Sequence, residues 1–225
     1  MKKIIGSLVV IVCLISTAQA QFMYDVNGRV VSEMSYTDVE GTPFFTEGWN
    51  TGLLYPVKGN PVDGVKMRYD AYKDELEYEK DGKLYRLGPE IKEFSFMTAD
   101  EKYIFRNGFP LVDNQIPASF YRVLHDGTTT LLKRYEMKMR QERQYNSATT
   151  TKRFFMAEEL FVLKDGKMTA LKKNDKKGLL SLLADEKKLM EFAIKEQELN
   201  FKSDLDIVKL LEEYDAYKAG RKSKN

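Results

Sequence analysis

Apolar and polar residues alternate over most of the first three quarters of the chain, most clearly from Val65 to Leu87, VKMRYDAYKDELEYEKDGKLYRL. A period of two places every second side chain on one face of a strand. Asp81-Gly82 supplies a two-residue hairpin turn, because a type I′ turn needs positive φ at both central positions. That turn predicts Lys80 opposite Lys83, Tyr78 opposite Tyr85 and Leu76 opposite Leu87. A second two-residue turn at Lys73-Asp74 puts Ala71 opposite Leu76 and Tyr69 opposite Tyr78. The result is a three-stranded antiparallel meander whose buried face carries Val65, Met67, Tyr69, Ala71, Leu76, Tyr78, Tyr85 and Leu87. Its other face pairs Arg68 with Glu79 and Arg86 with Glu77 and reads as solvent-facing; a one-residue slip would invert both faces.

The same period predicts strands at Trp49–Tyr55, Ile91–Met97 and Lys102–Arg106, and a short hairpin about Asn27-Gly28 with Tyr24 opposite Val31. Phe120–His125 and Thr128–Met139 form a hairpin about Asp126-Gly127, with Tyr121 opposite Leu132. The polar loop Gln144–Thr149 returns the long outgoing arm into Lys152–Met156. Leu160–Lys164 and Lys167–Leu171 pair about Asp165-Gly166, and this hairpin is apolar on both faces. Phe161, Leu163, Met168 and Ala170 line one side and Leu160, Val162 and Leu171 the other, so it needs cover on both.

At Asn174 the period becomes helical. A first helix, capped by Asn174 or Asp175, runs to about Ala184; a second, Glu186–Gln197, presents Leu189, Phe192 and Ala193. The third opens with Ser203 and Asp206 at capping-box spacing and carries the stripe Ile207, Leu210, Leu211 and Tyr214. Strands first and helices after is the α+β order. The expected fold is a curved antiparallel β-sheet, as a sandwich or partly open barrel, with three C-terminal α-helices. The expected division is a cleaved signal peptide over 1–20, an antiparallel β domain over 21–173, a helical segment packed on the sheet over 174–220, and a basic tail over 221–225.

The N-terminus sets the compartment. Lys2 and Lys3 precede an apolar run from Ile4 to Ser16, and Ala18 and Ala20 occupy the A-x-A positions of a cleavage site before Gln21. The run is too short for a comfortable membrane span. The one cysteine, Cys13, lies inside this segment; Val12 before it is not small, which argues against lipidation and leaves a mature chain without a thiol. The expected location is the periplasm, the outer membrane's surface or the medium. Of 36 basic and 34 acidic residues, cleavage removes two lysines, so the mature charges balance. Non-specific nucleic-acid binding needs a basic excess, so no nucleic-acid partner is expected.

Candidate chemistry is sparse. His125, the sole histidine, reads as an exposed residue beside a turn. With no GxSxG elbow and no second His or Cys at ligand spacing, neither a conventional triad, a metal site nor a cofactor is expected. Asp70, Glu75, Glu77 and Glu79 share a sheet face, read as solvated rather than as a glycosidase pair held across a cleft. GWNTG at Gly48–Gly52 matches no phosphate loop, and KRYEMKMRQER at Lys133–Arg143 reads as strand alternation. Trp49, Tyr69, Tyr78, Tyr85, Phe94 and Phe96 either fill a core or wall a cavity for an apolar ligand.

GWNTGLL, DGVKMRYDAYKDELEYEKDGKLYRL and IKEFSF, followed by SFYRVLHDGTTTLLKRY, LFVLKDGKMTALKKNDKKGLLSLL and SDLDIVKLLEEYD, resemble the layout of uncharacterised exported β-rich proteins of the Bacteroidetes. Those motifs are turn and core residues, so the resemblance implies an envelope location and no activity. The functional expectation is an exported, non-enzymatic cell-envelope protein that binds a partner or surface component. A carrier of a lipid-like apolar ligand held between sheet and helices is the alternative, and a hydrolase with an unrecognised site a second one.

Overall fold

A computed structural model describes residues 29–30, 36, 38–112, 119–143 and 150–222. The signal segment with its cleavage residues Ala18, Ala20 and Gln21, the Asn27-Gly28 turn, the Gln144–Thr149 loop and the end of the basic tail lie outside these residues. The strands are β1 (Arg29–Val30), β2 (Val39–Glu40), β3 (Asn50–Pro56), β4 (Val62–Asp70), β5 (Glu75–Lys80) and β6 (Lys83–Leu87). They continue as β7 (Ile91–Met97), β8 (Lys102–Arg106), β9 (Tyr121–Asp126), β10 (Thr130–Arg143), β11 (Thr150–Lys164) and β12 (Lys167–Leu171). Three helices follow: α1 (Lys176–Leu182), α2 (Lys187–Glu196) and α3 (Asp204–Lys222).

The strands form one open sheet in the order β1-β6-β5-β4-β3-β7-β8-β9-β10-β11-β12. Its ladders are antiparallel except that β2 pairs parallel with β11, Val39 facing Lys152 and Glu40 facing Arg153. Asp81 and Gly82 take φ of 51° and 70° and Asp165 and Gly166 51° and 75°, as type I′ turns require. Both hairpins keep the expected register, with Tyr78 facing Tyr85 and Leu160 facing Leu171.

The turn between β4 and β5 differs from expectation. It spans four residues, Ala71–Asp74, so Tyr69 faces Leu76 and Met67 faces Tyr78. The Asp70 carboxylate accepts the Tyr72 and Lys73 N–H groups at 3.0 Å, and Asp74 adopts a φ of 58°. This Asx-type turn holds two more residues than the tight one expected. Because the shift is two, the buried set keeps its face, but Arg68 now meets Glu77 rather than Glu79. Nor is the second face plainly solvent-facing. Asp70 and Glu77 are 0% and 1% exposed, with Arg68 and Arg86 bonded to Glu77 from either side and Phe44 and Trp49 lying on the Arg68 guanidinium. At the next hairpin a bulge between Leu131 and Leu132 leaves Leu132 opposite Val123, not Tyr121.

Three buried regions hold the sheet. The first gathers Met67, Tyr69, Leu76, Phe94, Phe96 and Phe105 with Tyr135, Met137 and Phe154 from the long arms. The sheet bends to make it: the Met137 N–H donates to the Ala71 carbonyl at 2.9 Å, although β10 lies five places from β4 in the sheet. The second seats the helices, through Leu179, Leu183, Met190, Leu210, Leu211 and Tyr214, on Leu131, Val162 and Leu171. The third covers the opposite side, with Phe161 and Met168 against Tyr121, Leu132, Phe109 and Val112. The hairpin β11–β12 is thus covered on both faces as its apolar residues require, with Ala170 left exposed.

Asp175 caps α1 by accepting the Gly178 N–H at 2.7 Å. In α2 the buried row is Met190, Ala193 and Ile194, whereas Phe192, expected on that face, is 60% exposed. The 3₁₀ turn Ala184–Glu186 before it rotates the helix so that this row, at i, i+3 and i+4, meets the sheet. The α3 stripe is buried as expected. Its capping box is incomplete: Ser203 Oγ accepts the Leu205 N–H, but Asp206 reaches back to the N–H groups of Asn200 and Phe201.

Candidate functional site

The aromatic candidates are consumed by one another. Phe94 lies 4.9 Å from Phe105, 5.1 Å from Phe120 and 5.5 Å from Tyr69 between ring centroids. Phe96 stacks on Tyr103, and Tyr78 stacks on Tyr85 at 5.1 Å. The Tyr69 hydroxyl donates to Asp74 Oδ1 at 2.6 Å, and burial pushes its pKa well above the ordinary 10.0. Trp49 does not join them; it sits on the opposite face against Arg68. The expected cross-strand row Tyr69–Tyr78–Tyr85 is therefore a Tyr78–Tyr85 stack and a separate Tyr69 cluster.

His125 is 13% exposed in its side chain, contrary to the exposed position expected of it, and its Nε2 lies 2.9 Å from Asp215 Oδ2 on α3. Asp215 also accepts the Thr129 N–H and the Thr129 hydroxyl, each at 3.1 Å. In a nucleophilic triad the histidine stands between acid and hydroxyl. Here the carboxylate stands in the middle, so the histidine cannot take the hydroxyl's proton. The cluster clasps α3 to the β9–β10 turn, and Gly127 makes room for it: a Cβ there would fall 1.9 Å from Asp215 Oδ2.

A groove of about 920 Å³ runs over β10, β11, the end of β12 and the start of α3. It exists because of strand lengths. β11 has 15 residues, while β12 pairs with it only from Leu160 and β2 only at Lys152 and Arg153. Between them, among the described residues, Phe154–Glu159 has β10 on one side and no strand on the other. The direction of the free groups follows from the Asp165-Gly166 turn. In a two-residue hairpin the flanking residues, here Lys164 and Lys167, form a hydrogen-bonded pair, and alternate residues repeat the pattern. The β10–β11 register runs unbroken, so the main chain of Met156 and Glu158 points away from β10 into the groove.

Charged side chains line this opening. Lys133 Nζ holds Glu158 at 2.5 Å and Asp204 at 2.8 Å. Burial opposes its charge, but these hydrogen bonds outweigh burial and raise its pKa. Lys138 and Arg134 both approach Glu136. Lys172 and Lys173 line the groove where β12 ends, exposed and without an ion pair among the described residues. Nothing in the sequence pattern singles these out, since Lys133–Arg143 shows only strand alternation. The signal was available as a count: five paired residues in β12 against the much longer arm beginning at Lys152.

Among the described residues no group of three or more His, Cys, Asp or Glu side chains could hold a metal ion, and no helix is long and apolar enough to cross a membrane. No family model, curated protein or solved structure matches this chain.

Proposed function

We propose that this is an exported cell-envelope protein that binds a partner protein, and that the groove over β10–β12 is where it does so. One observation carries the reading: among the described residues, a run of β11 presents unpaired main chain inside a groove where Lys172 and Lys173 have no ion-pair partner. The bend that brings Ala71 to Met137 supports reading the sheet as a partly open barrel that leaves this groove on its outside. The carrier alternative has less in its favour. Leu131, Val162 and Leu171 share one buried cluster with Leu179, Leu183 and Leu210 at the junction where an apolar ligand would sit. Export rests on the basic, apolar and A-x-A order of residues 1–20.

Photo-crosslinking in cells tests the reading. A crosslinking residue at Lys173 should capture one discrete envelope neighbour, and one at Lys83, on the far turn, should not. Equal capture from both positions, or none from either, would count against it. Intact mass of the envelope fraction should show a chain beginning at Gln21. Native mass spectrometry after gentle extraction should show the apo mass; a bound lipid would restore the carrier reading.

A further inference from the structure

We propose that Phe154–Glu159 is a strand-addition site for a short, extended, acid-bearing segment of a partner protein. The segment hydrogen-bonds to the main chain of Met156 and Glu158 and places its acids against Lys172 and Lys173. This rests on the partner-binding reading and names the class of partner.

Strand addition draws its affinity from main-chain hydrogen bonds along a free edge. Two β11 residues supply two N–H and two C=O groups aimed into the groove. The described residues do not fill the opening. The chain leaves β2 at Gly41, beside Phe154, and turns to pair Pro43 and Phe45 with Ala71 and Tyr69. It leaves β12 at Leu171 and turns at Asn174, with a φ of 59°, into α1. The six residues of the opening span roughly 20 Å in extended form. β2 and β12 close the opening at its two ends. The folded edge of a second copy would run into both, whereas a single extended segment fits between them.

Charge selects the occupant. Glu158 and Asp204 are held by Lys133, and Glu136 by Arg134 and Lys138. Among the described residues that line the groove, what remains is Glu159 against Lys172 and Lys173, so acidic side chains at the β12 end gain and basic ones lose. Specificity in strand addition comes from alternate side chains, and Met156, Leu160 and Leu171 beside the opening favour apolar residues between the acids.

The test uses fluorescein-labelled heptapeptides on the purified protein. They are one alternating Val and Glu, the same peptide N-methylated at alternate amides, and one alternating Val and Lys. The Val–Glu peptide should slow hydrogen exchange of the Met156 and Glu158 amides at least tenfold at saturation. The N-methylated form should not, and the Val–Lys peptide should bind at least tenfold more weakly. The double variant K172E/K173E should fold normally and weaken the Val–Glu peptide about three- to tenfold, the worth of one or two exposed ion pairs. Unchanged exchange, equal protection by the N-methylated peptide, or an indifferent double variant overturns the proposal. A neighbour crosslinked in cells through another surface, with these amides unprotected, overturns strand addition and leaves partner binding standing.

Discussion

Glu77 keeps its carboxylate almost out of water between Arg68 and Arg86, whose own side chains are 18% and 12% exposed. Removing one partner from such a cluster strands the other charges. Glu77→Gln should cost about 3 kcal/mol in urea unfolding. Glu79→Gln, on the exposed bond to Lys66, should cost less than about 0.5 kcal/mol. The sequence places Arg86 opposite Glu77 through the Asp81-Gly82 turn, but nothing local says that Phe44 and Trp49 will lie over the neighbouring Arg68. Gly127 is a second case. Gly127→Ala would drive a Cβ into the Asp215 carboxylate, at an expected cost of about 2 kcal/mol. In an Asp215→Ala background most of that cost should vanish, because the two sites share one clasp; unfolding of the four proteins checks it. That clasp was not legible either, since His125 and Asp215 lie 90 residues apart.

At the scale of elements, legibility followed the turns. Where Asp-Gly pairs set positive φ, the sequence determines the register residue by residue, as in β5–β6 and β11–β12. Where a side chain builds the turn, as Asp70 does at Ala71–Asp74, or where a bulge intervenes, as at Leu131, the register shifts and the sequence pattern shows only the face. Helix existence and the α3 stripe were legible from period, while the phase of α2 was not, because the preceding 3₁₀ turn sets it. The same turn contributes Asp185, which joins three elements by accepting from Lys164 of β11 and from Tyr214 and Lys218 of α3. Burial alone would raise its pKa, but those hydrogen bonds outweigh burial and hold it far below the usual carboxylate range. A depressed folded-state pKa stabilises above the unfolded value of 3.8 and loses that contribution as pH falls through the folded value. Asp185→Asn should therefore lower the urea midpoint at pH 7, and the gap from the parent protein should close on acidification below pH 4. A constant gap would mean that the carboxylate's charge is not what joins these elements.

For the whole molecule, the long arms β10 and β11 belong to every buried region, so the sheet and the helices share residues rather than merely touching. Alkaline pH probes this shared interior. Burial pushes Tyr69 well above 10.0 and Tyr121 up to about 12. A raised folded-state pKa contributes stability that is present below the unfolded value and is lost as pH rises through the folded one. Tyrosinate absorbance should accordingly show a fraction of the 13 tyrosines ionising only as the far-ultraviolet dichroism collapses above pH 10. Full ionisation ahead of that collapse would contradict a closed interior around Tyr69 and Tyr121. The mostly antiparallel sheet and the C-terminal helices were legible at this scale from period alone, whereas the choice between sandwich and partly open barrel was not. The groove was not, since it arises from unequal strand lengths, which alternation does not report.

The parallel pairing of β2 with β11 also bears on how the chain reaches this state. Glu40 and Arg153 meet across 113 residues, and contacts so distant in sequence form only after much chain entropy has been surrendered. A chain emerging from its N-terminus exposes Val39 and Glu40 long before their partners exist. This strand must wait, unpaired, until more than a hundred later residues have appeared, while the nearby β4–β6 meander can already form. Val39 and Glu40, made early, are thus among the last to find their place.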